Sequence, residues 1–464
     1  MQLTAPLFLF LFLPLSFLPL PFCKPRHRKG VLSALSLLYV LFVYRTSPLA
    51  LLQIGGVVLL CCLLSMLPDR APKLRCAIGV ILPLSALIAA RLLLEYAPFD
   101  YPYPTGITMV VLAAISVAID RYRGDAPDRE SPWSVISYLL FFPTMLIGPL
   151  LRYKQFLYVT EHIAPSRERF ASGALLFMRG YVIRIAVATV LIRMFTNLFA
   201  LTEAALPLSI VLLLLLLALV LLYAFITGTT DMARGLMAIF GMQPPRAHAD
   251  SIPLIAPHRM LSALLLPFER YFEDYIARPV RHLVKGKRGT LLASLITLCC
   301  TVLLLRTRPE VLLLAIPLFL SVLLCYRMPR YRRAPRHALT RALSSLLSLA
   351  LLSFFALGIT MGTPLSLFTL FARALDGSPT YAPRYLLGAV FDSRYLVCIL
   401  SFLVLVPFRH YRRILQLRLD KRFVFVLRCL SCLFVGLLFV ATLLYFTPQF
   451  PQYADPVYGA IILR

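Results

Sequence analysis

The sequence predicts an all-α, polytopic integral membrane protein, from its composition, its long apolar runs and the placement of its basic residues. The chain has 464 residues, of which 60% are hydrophobic and only 14% are charged, whereas a soluble domain carries roughly a quarter charged residues. A helix needs about 20 mostly apolar residues to cross a bilayer core. Many runs reach that length, so we expect about ten to twelve transmembrane helices.

The clearest predicted spans are long, mostly apolar runs. They are Pro48–Leu67, Cys76–Leu94, Leu206–Thr227, Leu291–Leu305, Arg341–Ile359, Tyr385–Pro407 and Val424–Phe446. The polar segments between runs are short, which leaves no room for a soluble domain. We therefore expect a single membrane-embedded domain over residues 1–464.

The formal net charge of +27 does not indicate a nucleic-acid partner. A nucleic-acid footprint needs basic residues gathered on one soluble face, but here they form short clusters between apolar runs. That distribution is typical of cytoplasmic loops under the positive-inside rule, and it predicts a lipid bilayer as partner and an N-terminus outside the cytoplasm. The clusters include Lys24–Lys29, Arg70–Arg75, Lys285–Arg288, Arg327–Arg341 and Arg409–Arg413.

Helix-breaking residues interrupt the apolar segment Gly106–Phe156. Besides Gly106 itself, they are Pro143, Gly148 and Pro149. Broken helices at membrane depth are tolerated where they are buried in protein or line a cavity. We therefore expect re-entrant or broken helices around a central funnel.

A second unusual region, Phe225–Gly241, carries Asp231 and Arg234 within an apolar passage. An ionisable residue inside a span is by default a hypothesis of a functional site. Because these two residues are three apart, they could instead neutralise one another near a helix end.

The third unusual region, Gln243–Thr290, turns from apolar to densely charged. Charged residues four apart lie on neighbouring turns of a helix, which predicts an amphipathic helix that lies at the membrane surface or packs between spans. The alternative is a solvated helix held by weak ion pairs. The charged residues at this spacing are Glu269, Arg270, Glu273, Asp274 and Arg278.

Short motifs occur in a fixed order along these regions. They are Gly106-Ile-Thr followed by Ile119-Asp-Arg-Tyr-Arg-Gly124, Phe141-Phe-Pro-Thr-Met-Leu-Ile-Gly-Pro149 with Arg152-Tyr153, Gly228-Thr-Thr-Asp-Met-Ala233, and Asp274-Tyr275 with Pro279. Together they resemble the motifs of the bacterial membrane-bound O-acyltransferases. The most similar branch is that of alginate O-acetyltransferase and the D-alanyl transfer protein of teichoic acid synthesis.

The resemblance implies transfer of an acyl group, most simply acetyl, to a hydroxyl of a cell-envelope polysaccharide or polymer. It implies an acyl-CoA or acyl-carrier donor, no tightly bound cofactor, and a multi-pass protein of the bacterial cytoplasmic (inner) membrane. A soluble acyl carrier or a periplasmic acyltransferase is the implied protein partner. By the motif match, Arg152, Asp231, Arg270 and Asp274 are the candidate residues of the cavity or of the surface helix.

The sequence departs from the family at its histidines. The Trp-His-Gly element of the family matches Thr360, Met361 and Gly362, and the second family histidine matches Leu265. The family histidine is expected to act as general base on the acceptor hydroxyl, because imidazole titrates near neutral pH. A thioether or an isobutyl group cannot take that role.

These departures leave three interpretations open. Another base has replaced the family histidines, for which His258 and His282 beside the amphipathic segment are the weak candidates. Alternatively, the protein is a catalytically silent family member that serves as a scaffold or substrate-passage subunit, or it is a transporter or flippase. The resemblance favours an enzyme, and no residue pattern predicts a metal site.

Overall fold

All regular secondary structure in the described part of the chain is helical, which confirms the predicted all-α class. The computed structural model describes residues 8–17, 19, 22–45, 47–67, 71–96, 104, 106–126, 131–145, 151–188, 190–192, 194, 208–244, 256–305, 311–327, 338–361, 364–375 and 421–446. The predicted span Tyr385–Pro407 and the position Gly362 lie outside these residues.

Six described helices are long and apolar enough to cross a membrane, so the chain is a multi-pass membrane protein. They are Pro48–Met66, Pro72–Leu94, Arg167–Ile192, Leu208–Ile239, Gly286–Leu305 and Ala342–Thr360. Shorter apolar helices cover Phe8–Phe17, Ile316–Arg327 and Cys429–Leu444. The number of ten to twelve spans, the single domain and the central funnel stay predictions.

The helices are numbered here in chain order, with short π-helical turns treated as continuations. The first half contains α1 (Phe8–Phe17), α2 (Pro25–Val43), α3 (Pro48–Met66), α4 (Pro72–Tyr96), α5 (Ile107–Tyr122), α6 (Pro132–Leu139), α7 (Phe142–Met145), α8 (Tyr153–Glu161) and α9 (Arg167–Val182, then a π turn at Ile183–Val187). The second half contains α10 (Leu208–Ile239), α11 (Pro257–Leu264), α12 (Leu266–Phe272, then a π turn at Glu273–Ala277), α13 (Arg278–Leu283), α14 (Gly286–Leu305), α15 (Val311–Leu314), α16 (Ile316–Arg327), α17 (Ala338–Met361), α18 (Pro364–Leu375) and α19 (Lys421–Ala441).

Within the described residues, the segment Gly106–Phe156 is broken into the helices α5 to α8, as expected. Gly148 and Pro149 lie outside the described residues. Gly106 precedes α5 with a φ of 94°, and a Cβ there would lie 2.9 Å from the Met145 carbonyl oxygen. Only glycine combines that backbone angle with such a close approach. Pro143 lies within α7, and the break falls before it at Leu140 and Phe141.

Helices α9 and α10 are in near contact through their glycines. A Cβ on Gly180 would lie 2.6 Å from the Gly228 carbonyl oxygen, and a Cβ on Gly235 would lie 2.5 Å from the Phe177 nitrogen. Small residues allow the backbones of membrane helices to approach in this way. The sequence interpretation did not place α9 among the clearest spans, because Arg179 and Arg184 interrupt its apolar run.

The structure accommodates Arg184 inside the protein rather than in lipid. Its side chain is buried, and its guanidinium lies over the Phe225 ring at 4.0 Å from the centroid. Cation–π contact of this kind stabilises a desolvated arginine. Helix α10 also exceeds the predicted span Leu206–Thr227, since it continues to Ile239.

Helices α11, α12 and α13 form a bent segment with one buried and one exposed face. Leu264 and Phe268 are buried, as are Tyr271 and Tyr275, whereas Arg270 is exposed. The chain bends at Leu265 and passes through the π turn before α13. This amphipathic segment lies between the broken helices on one side and α14 on the other.

Candidate functional site

A buried ion pair of the predicted site joins two distant motifs. The carboxylate of Asp274, in the amphipathic segment, contacts the guanidinium of Arg152 at the start of α8. It also lies 2.8 Å from Arg278. The Asp274 side chain is 6% exposed and that of Arg152 18%, whereas that of Arg278 is 57% exposed. The pair with Arg152 is therefore the structural one, since an exposed pair contributes little.

A second buried carboxylate, Asp120 of α5, receives hydrogen bonds from both neighbouring segments. The Tyr275 hydroxyl donates to Asp120 Oδ1 at 2.8 Å, and the Lys154 backbone N–H donates to Oδ2 at 3.2 Å. Tyr275 has then used its single hydrogen, so the Ser116 hydroxyl donates to the Tyr275 oxygen at 2.7 Å. Burial holds the pKa of Tyr275 well above its usual range, so this phenol remains a donor.

We call Ser116, Asp120, Arg152, Asp274 and Tyr275 the motif network. Arg123 reinforces it by donating to the Asp274 backbone carbonyl at 2.8 Å and by stacking over the Tyr275 ring. The network thus brings together the motifs of α5, of α8 and of the amphipathic segment. Its carboxylates are already held by donors of the protein, which suits a role in positioning the segment.

Asp231 and Arg270, the other two predicted site residues, lie apart from this network. The Asp231 carboxylate is buried in α10, 3.3 Å from the Arg234 guanidinium. The ion pair supports the interpretation that these two residues neutralise one another. Arg270 is exposed on α12.

An open cavity of about 350 Å³, lined by both polar and apolar side chains, lies on the other side of the amphipathic segment. Helices α14 and α16 form its remaining walls, and His258 of α11 contributes to the lining. The His258 Nδ1 lies 2.7 Å from the Ser321 hydroxyl of α16. Burial, together with neighbouring Arg259, lowers the pKa of His258 to about 4. This imidazole is neutral at physiological pH.

The other candidate histidine, His282, does not line the cavity. It is exposed near the end of α13. The structure therefore separates the two candidates, because His258 lines the cavity and His282 does not. Sequence reasoning missed Ser321 and the polar face of α14, although the hydroxyl spacing along α14 was a readable signal.

Comparison with known proteins identifies similar proteins of one kind. No family model matches the chain. The probable alginate O-acetylase AlgI of Azotobacter vinelandii is 30% identical over 140 residues, which is 30% of this chain and 28% of the relative. The protein of the same name from Pseudomonas aeruginosa is 31% identical over 140 residues, 26% of its length. Over this stretch the chain is similar to the alginate O-acetylases. It spans under a third of the length of these curated relatives.

This similarity confirms the branch predicted from the motifs. The positions matched to the family histidines are filled as follows. Leu265 is 3% exposed and lies at the bend before α12, so its position is filled by an apolar side chain. Thr360, near the end of α17, donates its hydroxyl to the Leu357 carbonyl at 2.7 Å. Met361 ends α17, and its side chain lies outside the described part of the structure.

Proposed function

We propose that this chain is an O-acyltransferase-like protein of the bacterial cytoplasmic membrane, which transfers an acetyl group to a hydroxyl of an envelope polysaccharide. The motif network carries the proposal. Residues far apart in sequence, which the resemblance marked as site residues, meet through Arg152, Asp274 and Tyr275. The relationship to alginate O-acetylases supports the same chemistry.

In the proposed reaction, an oxygen of the acceptor forms an ester bond with the acetyl carbonyl carbon. The bond between that carbon and the sulfur of the donor breaks, and the hydroxyl proton leaves with the thiol or passes to a base. An acyl-CoA or an acylated carrier protein would supply the thioester. A soluble acyl carrier or a periplasmic acyltransferase would be the protein partner.

The second candidate function is that of a catalytically silent relative, which serves as a scaffold or passage subunit. The buried Leu265 favours it, because an isobutyl side chain at the position of a family histidine cannot exchange a proton. The two candidates make the same predictions for folding and opposite predictions for turnover.

The test uses the purified full-length chain in lipid vesicles, with envelope polysaccharide as acceptor. Acetyl-labelled CoA and an acetylated carrier protein are supplied in separate reactions, and label in the polysaccharide is counted. Ester label that requires the chain supports acyl transfer. Absence of transfer with both donors, from protein that is shown to be folded, supports the silent relative.

Two variants refine this test. His258→Ala removes the histidine of the cavity, and His282→Ala removes an exposed histidine as the matched control. If transfer occurs, we expect it to fall in the first variant and to persist in the second. Passage of unmodified polysaccharide across the vesicle would instead indicate a transporter.

A further inference from the structure

The wall that α14 contributes to the cavity is a row of hydroxyl groups. Thr290, Ser294, Thr297 and Thr301 all line the cavity, and their spacing places them along one face of the helix. The surrounding helix is an apolar candidate span. Its polar side chains therefore gather where they meet the cavity.

Each of these hydroxyls already donates its hydrogen to a backbone carbonyl of its own helix. Ser294 donates to the Thr290 carbonyl at 2.9 Å, and Thr301 donates to the Thr297 carbonyl at 2.8 Å. Thr297 donates to Ser294 and Thr290 to Gly286 in the same way. A hydroxyl retains two acceptor lone pairs after its hydrogen is used. The wall thus presents acceptors to the cavity.

His258 adds a further acceptor through its tautomer. The Ser321 hydroxyl donates its only hydrogen to the Leu318 carbonyl at 2.7 Å, so it can only accept from His258 Nδ1. In a neutral imidazole with a protonated Nδ1, Nε2 carries the lone pair. Among the described residues, Nε2 has no hydrogen-bond partner of its own. Ser321 is therefore a positioning residue, and Nε2 is the atom available to a ligand.

The charged side chains around the cavity balance one another. The lining holds two acidic side chains, Glu269 and Glu273, and two basic ones, Arg259 and Arg281. Glu273 and Arg281 also contact each other directly. A site for an ammonium ligand would need an excess of carboxylates in its lining, and a site for a phosphate would need an excess of guanidinium groups. The balance favours a neutral ligand that both donates and accepts hydrogen bonds.

We propose that this cavity is a binding site for a neutral, hydroxyl-rich ligand of the saccharide class, with Nε2 of His258 and the hydroxyl row of α14 accepting from its hydroxyls. The volume of about 350 Å³ falls within the range of roughly 300–1,000 Å³ for ligand pockets. The proposal deepens the proposed function, on which it rests for the role of the ligand as acyl acceptor. Binding itself does not depend on turnover.

The test measures binding of a labelled neutral trisaccharide to the full-length chain in lipid nanodiscs by equilibrium dialysis. A trisaccharide of uronic acids and glycerol-headgroup lipid vesicles serve as competitors. We expect the labelled neutral trisaccharide to bind saturably. Unlabelled neutral trisaccharide should displace it well, whereas the uronic trisaccharide and the lipid vesicles should displace it poorly. This competition separates a saccharide from a lipid headgroup as the source of the hydroxyls.

Variants locate the binding site. One charge-neutral hydrogen bond contributes about 1 kcal/mol, or about fivefold in affinity. We expect His258→Ala to weaken binding about tenfold and Thr297→Val about fivefold. His282→Ala, and Thr160→Val in α8 outside the cavity, should leave affinity unchanged. Thermal unfolding shows which variants are folded. If His258→Ala does not fold, Thr297→Val still tests the site, because valine retains the shape of threonine.

Absence of saturable binding overturns the proposal, as does binding that survives both His258→Ala and Thr297→Val. Preference for the uronic trisaccharide or for the lipid overturns the neutral saccharide assignment. Binding without acetyl transfer would contradict the proposed function alone. Acetyl transfer to polysaccharide that is unaffected by both cavity variants would contradict this inference alone.

Discussion

The amphipathic segment has polar groups on two sides, and the two sides are satisfied differently. Toward α5 and α8, the carboxylates of the motif network are held by donors of the protein, among them Tyr275 and Arg152. Toward α14 and α16, the cavity presents acceptors whose hydrogens are already used, together with a neutral histidine. Glu273 lines the cavity, whereas the adjacent Asp274 belongs to the motif network. A network in which each acceptor is paired with a donor of the protein stabilises the fold, whereas an excess of acceptors can bind the hydroxyl groups of a ligand.

The largest expected effect comes from breaking the buried ion pair of the motif network. Arg152→Ala leaves Asp274 with only the exposed Arg278, and loss of one partner of a buried pair costs about 3 kcal/mol. Arg278→Ala is the control and should cost less than about 1 kcal/mol. Unfolding in mixed detergent micelles gives both free energies. Equal costs would contradict the assignment of the structural pair.

A pH effect should be specific to the cavity side. Because the pKa of His258 is lowered to about 4 from 6.5, the unfolded chain binds its proton more readily than the folded chain. Its contribution to stability is therefore complete above pH 6.5 and is lost as the pH falls toward 4. For this partly buried group we expect a loss of about 2 kcal/mol.

Other groups around His258 titrate or carry charge as well, namely Arg259, Glu269, Glu273, Arg281 and Tyr326. The quantity to measure is thus the difference in unfolding free energy between the wild type and His258→Gln across this pH range. A difference that stays constant with pH would show that His258 is not held neutral.

Tyr275→Phe should have a smaller effect, because it removes one of the donors to Asp120 and retains the ring. A buried acceptor that loses a hydrogen bond costs about 1–3 kcal/mol, and we expect about 1.5 kcal/mol here. Tyr122→Phe, at a partly exposed tyrosine of the same network-bearing helix α5, should be neutral. Thermal unfolding of the two variants compares them directly, and matching midpoints would contradict the network.

The smallest effects distinguish the two sides most directly. Ser116→Ala removes a hydroxyl that both receives from the Tyr153 N–H and donates to Tyr275, and should cost about 1 kcal/mol. Thr297→Val removes a cavity hydroxyl without a described side-chain partner and should change stability by less than about 0.5 kcal/mol. A larger cost for Thr297→Val would mean that its hydroxyl serves the fold.

Contacts between residues three or four apart in one helix were predictable from the sequence. The spacing of Asp274 and Arg278 predicted neighbouring turns, and the structure shows this pair at 2.8 Å. The spacing of Asp231 and Arg234 left their mutual neutralisation open as an alternative to a functional site, and the structure shows this pair at 3.3 Å. Arg152 and Asp274 were both singled out by their motifs. Their contact was not predictable, because no periodicity relates residues in separate helices.

The membrane class, the helical fold and the branch of relatives were determined by the sequence alone, since apolar run length and short motifs are local properties. Only the tertiary structure decided which polar residues meet. It placed Arg184 over Phe225 inside the protein, it separated His258 from His282, and it set the hydroxyl row of α14 along the cavity. The physical reason is that desolvation depends on what packs around a side chain, and packing is set by distant parts of the chain.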